Sequence, residues 1–481
     1  MSENEEMYVI VGSGSAALAA TLFLIDRGLG KSTVLIEPSD KFGGLLGKFD
    51  YEKFGIFDMG PHNIAETGDQ QIDDLIFSAL PGGEWNILSG ERRDLAGLGF
   101  KNSIQAGSPY LNLASEAVGP QSGMLESFLI HLDSEDTNSI DNVLTMTAQD
   151  YLTKRFGSVA ARPYLDSIQS TYGKAASQLS QLACNFKPMD RVAIGDENTT
   201  RPYYSDPKKR SVIAWPEQRT LPLEYSSGLK SLYPRDFGMY RYVNAVLKRL
   251  EEAGGQIIGG HSITRLDSSG GKIDFLHLRN TGTRAESQIS VRSILWTLSQ
   301  FQLGQLLSLD APPLTKNESL ETWICNFIVR DEPTKLGDLY YLFSYDQNIH
   351  SHRITNFSAY CPEAITPIGY PIASEILIPR DGDSGSSVER DGPLNLAKRD
   401  LEVLGIGAGE DIVFARAEKL GRGFPMPTLD AQEYAVAYRN ELTALATFNL
   451  RWTGIQPEKA IFFQPAVTQD SIRCIEELIN V

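Results

Sequence analysis

The sequence predicts an α/β fold that is divided into more than one domain. Three observations predict it: a length of 481 residues, a strand–turn–helix–strand unit early in the chain, and later stretches of aromatic and β-branched residues separated by prolines. A single hydrophobic core stops growing beyond about 250–300 residues, so two or three domains are expected. Hydrophobic residues make up 42% of the chain and charged residues 22%, as in ordinary globular proteins.

The first unit predicts a dinucleotide-binding domain. A β-branched strand at residues 8–11 leads into a glycine-rich turn, a helix at 18–27 and a second buried strand at 33–36. The glycines permit a tight turn and close approach of a pyrophosphate, and the first turn of the helix offers unpaired N–H groups to it. The expected phosphate-binding residues are Gly12, Ser13, Gly14, Ser15, Ala16 and Ala17.

The residues after the second strand indicate which dinucleotide is bound. Glu37, at the end of that strand, can accept both hydrogen bonds of a ribose diol. A glycine pair then lets another backbone segment lie against the cofactor near a flavin. Considered alone, the following loop favours a proline turn with a histidine that merely packs. After the glycine pair we interpret it as facing a flavin. We therefore expect FAD, held also by Glu37, Pro38, Gly43, Gly44, Leu45, Gly60, Pro61 and His62.

Glu37, GGL at 43–45 and FDMGPH at 57–62 resemble the FAD-containing superfamily of amine oxidases, protoporphyrinogen oxidases and UDP-galactopyranose mutases. The resemblance implies a discontinuous Rossmann-like FAD-binding domain of the glutathione-reductase type, an antiparallel β-sheet substrate domain and a helical subdomain. It also implies that His62 lies beside the isoalloxazine ring as a catalytic residue. The match departs at Pro61, where the mutases carry another glycine.

Two later segments complete the expected cofactor site. The resemblance implies that Ile263, after an amphipathic helix, contacts adenine with its backbone. Residues 466–471 resemble a mutase segment that opens the final helix toward the flavin, which implies contacts from Thr468, Gln469 and Ser471. For Ser471 the alternative is a simple N-cap.

The segment HRITNFSAY at 352–360 resembles a mutase segment in which an arginine grips the substrate diphosphate. Arg353 is therefore a candidate for substrate binding and catalysis. The alternative is an exposed arginine on a strand, for which the same sequence pattern is expected. The resemblance puts Phe343 or Tyr345 near the position of a mutase tyrosine that precedes this arginine. A second diphosphate-binding arginine of the mutases is missing, because Glu458 stands near its place.

These segments predict the domain organisation. We expect the FAD-binding domain at residues 1–66, 228–295 and 411–481, and a mainly helical subdomain at 67–204. The antiparallel-sheet substrate domain is expected at 205–227 and 296–410, where aromatic and β-branched residues alternate with prolines.

Charge and composition restrict the partners. A formal net charge of −17 disfavours a nucleic-acid binder, and no stretch approaches the roughly 20 apolar residues that cross a membrane. The first residues are polar and acidic, unlike a secretory signal, so a cytoplasmic protein is expected. Four widely spaced cysteines predict reduced thiols, and the histidines show no metal-ligand spacing. Nothing in the sequence specifies an oligomeric state.

Two uses of the flavin remain open. A mutase would use reduced FAD as a nucleophile toward a nucleotide sugar or related molecule, and the missing arginine makes UDP-galactopyranose itself an unfavoured substrate. An oxidoreductase would instead remove a hydride from a small molecule. A third reading is a non-catalytic FAD-binding protein, since the sequence identifies no catalytic base.

Overall fold

The computed structural model describes residues 5–90, 95–118, 123–134, 145–310, 319–380, 387–445 and 447–480. In chain order its strands are β1 (Met7–Val11), β2 (Thr33–Glu37), β3 (Lys48–Asp50), β4 (Ile56–Asp58), β5 (Ile64–Ala65), β6 (Trp85–Leu88), β7 (Ala96–Phe100), β8 (Ser103–Gln105), β9 (Ser231–Pro234), β10 (Gln256–Gly259), β11 (His261–Ser269), β12 (Lys272–Asn280), β13 (Glu286–Trp296), β14 (Ser319–Val329), β15 (Tyr341–Ser344), β16 (Ser351–Asn356), β17 (Tyr370–Arg380), β18 (Ile412–Pro425) and β19 (Leu450–Trp452). The helices are α1 (Ser15–Asp26), α2 (Gln70–Phe77), α3 (Met124–Ser134), α4 (Ala148–Ala160), α5 (Arg162–Tyr172), α6 (Glu197–Tyr204), α7 (Pro207–Arg210), α8 (Tyr240–Glu252), α9 (Gln300–Leu306), α10 (Phe357–Tyr360), α11 (Ser387–Val403), α12 (Leu429–Leu445) and α13 (Gln464–Ile479).

The first sheet is the predicted dinucleotide-binding sheet. Strands β10, β2, β1 and β13 lie side by side in parallel, β19 pairs with β13 in parallel, and β11 to β13 form an antiparallel meander. Successive residues of a strand face opposite sides, so Met7, Val9 and Val11 join one core cluster whereas Tyr8 and Ile10 join another. Both faces of the sheet are therefore buried, as in other parallel sheets.

The second sheet is the predicted, largely antiparallel one. Its strand order is β18-β14-β17-β16-β15-β7-β8, and β15 with β7 is its one parallel pair among the described residues. One face packs on the helices that precede it, with Phe343 and Tyr345 in a cluster with Phe156. The other face packs on α11 through residues such as Ile354 and Leu401. The predicted α/β fold class is confirmed.

Three segments lie outside the units to which the sequence assigns them. Strand β18, expected in the FAD-binding domain, pairs with β14 at one edge of the second sheet. Strands β7 and β8, expected in the helical subdomain, form the opposite edge. Residues 205–227, expected in the sheet, contain α7 and short 3₁₀ turns and no strand. Pro207 occupies the first turn of α7, and Pro216 and Pro222 cannot donate to a strand ladder. The other domain boundaries stay predictions.

All four cysteines are buried free thiols, as expected. Within the described ranges, no helix has the length and apolar character needed to cross a membrane.

Candidate functional site

The first glycine turn brings the start of α1 to the edge of the parallel sheet. Gly12 has φ of +109°, and a Cβ there would collide with the Thr297 hydroxyl, so this position requires glycine. Gly14 is the N-cap of α1 in an extended conformation, and no side chain caps the helix. A Cβ on Gly14 would meet none of the described atoms within 4 Å. The first-turn amides thus have no side-chain cap, and the side-chain direction at Gly14 is open, which suits a phosphate.

Ser13 joins the two glycine loops. Its hydroxyl donates to Glu37 Oε2 at 2.5 Å and accepts from the Gly43 N–H at 2.9 Å. A Cβ on Gly44 would lie 3.5 Å from Gly14 Cα. The two loops and the acid at the end of β2 thus form one continuous edge, as the sequence predicts for a cofactor cradle.

The remaining residues expected around this edge differ in exposure. Ala16 and Ala17 are buried under the turn, Ser15 and Pro38 are half-buried, and Leu45 is exposed. Ile263 lies half-buried on β11 and packs on the core of the first sheet.

The final helix begins earlier than the sequence predicts. It starts at Gln464, so Thr468, Gln469 and Ser471 lie inside α13 and do not open it. Ser471 is buried and donates to the Ala16 carbonyl at 2.7 Å, so it fastens α13 to α1 and does not cap a helix. Gln469 donates to the Thr67 carbonyl at 3.1 Å. The Thr468 hydroxyl is buried and has no hydrogen-bond partner among the described residues, which leaves it available to a cofactor.

A cavity of about 180 Å³ lies between the loop after β4 and the second sheet. The sequence predicted two of its lining residues, Pro61 and His62, as cofactor contacts and a third, Arg353, as a substrate contact. It missed the others, although Tyr360 ends the HRITNFSAY segment. The missed lining residues are Asn63, Tyr340, Tyr341 and Tyr360.

His62 is a neutral imidazole in this cavity. Burial, assisted by the nearby Arg353 charge, lowers its pKa to about 4. Its Nδ1 lies 3.2 Å from the Gly60 carbonyl. Because a carbonyl can only accept, Nδ1 carries the ring proton and Nε2 is the acceptor.

Arg353 forms a bidentate ion pair with Glu375 on the neighbouring strand. Its Nη2 lies 2.7 Å and 2.9 Å from the two carboxylate oxygens, and its Nε lies 3.2 Å from one of them. The arginine side chain is 25% exposed and Glu375 is 8% exposed. The positive charge that the sequence assigned to a substrate diphosphate is therefore already matched.

The other residues of the expected diphosphate clamp also have partners. Both carboxylate oxygens of Glu458 accept from Arg439 at 2.7 Å, so this carboxylate is paired with a buried arginine. Phe343 is buried and flanks Arg353, whose guanidinium carbon is 5.9 Å from its ring centroid. Tyr345 is 1% exposed and donates to the Pro188 carbonyl at 2.8 Å. The structure thus places Tyr345 in the core and not in the cavity, because its hydroxyl is already used there.

Asp58 is a buried carboxyl group that sequence reasoning overlooked. It accepts from the Tyr233 hydroxyl at 2.6 Å and from the Met239 N–H at 3.0 Å. Burial raises its pKa to about 7, while the two hydrogen bonds oppose that rise. These contacts fix the end of β4, from which the His62 loop departs.

Comparisons with known proteins agree with this architecture. Residues 10–76 match the family of NAD(P)-binding Rossmann-like domains. A reduced UDP-galactopyranose mutase superposes with a TM-score of 0.73 at 16% identity, covering 99% of this chain and 94% of the mutase. A protein from Exiguobacterium sp. 255-15 assigned as a protoporphyrinogen oxidase gives 0.61 at 16% identity, covering 99% of each chain. Cyclohexylamine oxidase from Brevibacterium oxydans IH-35A gives 0.60 at 12% identity, covering 99% of this chain and 100% of the oxidase.

The chain shares the fold of these enzymes. The resemblance noted in the sequence is confirmed at that level. The matched domain at residues 10–76 is of the dinucleotide-binding type, as the expected cofactor FAD requires. No curated protein sequence matches the chain.

Proposed function

We propose that the chain binds FAD along the edge formed by the two glycine loops. The uncapped start of α1 at Gly14 supports a pyrophosphate there. Glu37 accepts one bond on each oxygen, from Ser13 and from the Ser39 N–H, and its remaining lone pairs can accept from the ribose. The buried Thr468 hydroxyl, which has no partner among the described residues, supports a further polar contact from α13. When bound, FAD supplies an acceptor for a hydride.

We infer that the chain is an oxidoreductase whose substrate is a small molecule without a diphosphate. The observation that carries this inference is the bidentate pair of Arg353 with Glu375. A diphosphate carries at least two negative charges, and binding it would require breaking this pair or burying its charges beside a carboxylate. Every other lining residue of the cavity within the described ranges is uncharged at neutral pH, His62 included.

The cavity residues have separate tasks in this proposal. The side chains of Tyr340, Tyr341 and Tyr360 form walls that would orient the substrate and exclude water. Arg353, held by Glu375, is a fixed part of the wall whose charge is already matched. The Nε2 acceptor of His62 can take a hydrogen bond from a substrate N–H or O–H, which would align the neighbouring C–H bond.

Anaerobic reduction tests this function. Oxidised protein is mixed without oxygen with a panel of amines, alcohols and compounds with saturated C–C bonds, and the visible flavin absorbance is followed. We expect at least one member of the panel to bleach the flavin. The rate of bleaching should be lower in His62→Ala and unchanged in the core variant Tyr345→Phe. Oxidised protein that binds UDP tightly, and loses that binding in Arg353→Gln, would contradict the proposal.

A sugar-nucleotide mutase is the second candidate. Two observations favour it: Arg353 lies on a strand beside the cavity, in the segment that resembles the mutases, and the superposition on the mutase has the higher TM-score. Chemically reduced protein incubated with UDP-galactopyranose tests it, with the ring size of the product sugar as the readout. Ring contraction that requires the reduced flavin would establish this candidate in place of the oxidoreductase.

A further inference from the structure

A second cavity, of about 360 Å³, shares no lining residue with the first. It is bounded by β19, the turn at residues 456–459, the end of α12 and the middle of α13. Its volume falls in the range of small-molecule sites, which is about 300–1,000 Å³. The proposed FAD and substrate contacts leave this cavity without a role.

The cavity is positively charged in a strongly acidic chain. Three cations line it, and Glu477 is its one acidic lining residue within the described ranges. Arg451 Nε lies 2.8 Å and Arg473 Nη1 lies 2.5 Å from the two oxygens of that carboxylate. Arg473 Nη2 also lies 2.5 Å from the buried Asp470 carboxylate, so both arginines are already paired. The third cation, Lys459, forms no ion pair with any described residue. An anion would therefore find unmatched positive charge at Lys459, although the whole chain carries a net charge of −17.

Gln456 supplies a second, independent indication of a ligand. Its side chain is 2% exposed, and its amide oxygen has no hydrogen-bond partner among the described residues. Its amide nitrogen makes one long contact, 3.4 Å, with Asp470. A buried acceptor without a donor is unfavourable by about 1–3 kcal/mol, and a ligand N–H or O–H would relieve it.

Trp452 provides an aromatic surface beside these groups. The ring lies in the cavity wall, and the Lys459 ammonium is 5.9 Å from its centroid. An indole face beside a cation suits a planar ring that carries an anionic group nearby.

We propose that this cavity binds a small planar molecule with a phosphate or carboxylate group and a ring-borne N–H donor, of about mononucleotide size. The anionic group lies against Lys459. The ring lies against Trp452, and its N–H donates to the Gln456 amide oxygen. The site is separate from the flavin edge, so its occupancy does not depend on the proposed redox reaction.

Calorimetric titration of the FAD-loaded protein with AMP tests the proposal. Adenosine, which lacks the phosphate, and inorganic phosphate, which lacks the ring, are titrated in parallel. AMP is expected to bind more tightly than either. Lys459→Gln is expected to weaken AMP binding about fivefold to tenfold, which corresponds to about 1 kcal/mol or slightly more. Gln456→Leu should weaken AMP more than inorganic phosphate.

The matched control is Lys248→Gln, which removes another exposed lysine, on α8. It should leave AMP binding unchanged. Equal effects of the two lysine variants, or equal binding of AMP and adenosine, would overturn the proposal. So would AMP binding that disappears when FAD is loaded, because AMP would then occupy the adenine half of the flavin edge. The flavin content of every variant is also measured. It distinguishes a loss of AMP binding at the second cavity from a loss of FAD at the proposed cofactor site.

Discussion

The start of α1 allows the cofactor site to be tested apart from the stability of the fold. Gly14→Asp puts a carboxylate at an N-cap whose backbone, with φ of −73° and ψ of −175°, suits an aspartate. Its Cβ enters open space, and a capping carboxylate at a helix N-terminus is favourable by a few tenths of a kcal/mol to about 1 kcal/mol. The apoprotein should therefore unfold at an unchanged or slightly higher temperature.

The same carboxylate should prevent binding of FAD. At about 4 Å from a phosphate, and with an effective dielectric constant of about 20, the repulsion is about 4 kcal/mol, or roughly a thousandfold in affinity. The ratio of flavin absorbance to protein absorbance after purification measures the loss, and thermal unfolding of the apoprotein measures stability. Gly12→Ala is the contrast, because its positive φ and the Thr297 hydroxyl should lower stability as well. Full flavin content in Gly14→Asp would refute the assignment of this turn to the pyrophosphate.

Three further predictions concern side chains around the cavity. Glu375→Gln should destabilise the protein by about 2 kcal/mol, because it removes charge-assisted hydrogen bonds from Arg353. In a double-mutant cycle with Arg353→Gln, measured by urea unfolding, the coupling energy between the two residues should exceed about 1 kcal/mol. Additive effects of the two substitutions would contradict this ion pair. The raised pKa of Asp58 means that its stabilising contribution is full below its ordinary pKa of 3.8 and is lost as pH rises toward about 7. Asp58→Asn should therefore gain stability relative to the parent protein between pH 4 and 7, and a constant difference in unfolding midpoints would argue against it. Tyr345→Phe should cost about 1 kcal/mol, since it removes the hydrogen bond to the half-buried Pro188 carbonyl, and it should leave KM for any flavin-bleaching substrate unchanged. A raised KM would indicate that Tyr345 contacts the substrate.

The dinucleotide unit could be predicted because its signals are local. Gly12, Gly14 and Glu37 follow directly from the strand and helix that they connect, and short-range backbone geometry decides their conformations. The observed helix begins at Ser15, three residues before the predicted start, because an N-cap glycine leaves little side-chain signal.

The second sheet was predicted in type but not in its edges. Its edge strands come from distant parts of the chain, and no local pattern specifies that β18 pairs with β14 or that Tyr341 lies opposite Ala96. The residues around the first cavity could not all be predicted for the same reason, because contacts between distant parts of the chain bring them together. The segment around Arg353 predicts an arginine beside a cavity, but its partner Glu375 lies on the adjacent strand, and only the register of β16 and β17 brings the two charges together.

The contact of Ser471 with Ala16 determines when the first domain can be completed. Strand β1 needs β13, and α1 needs α13, so residues from both ends of the described chain must meet. At about 5–20 residues per second, a ribosome takes roughly half a minute to a minute and a half to travel between those positions. During that interval, the apolar surface of α1 that α13 later covers stays exposed on the nascent chain. The proposed cofactor cradle, which includes Thr468 of α13, is complete only after that helix has left the ribosome.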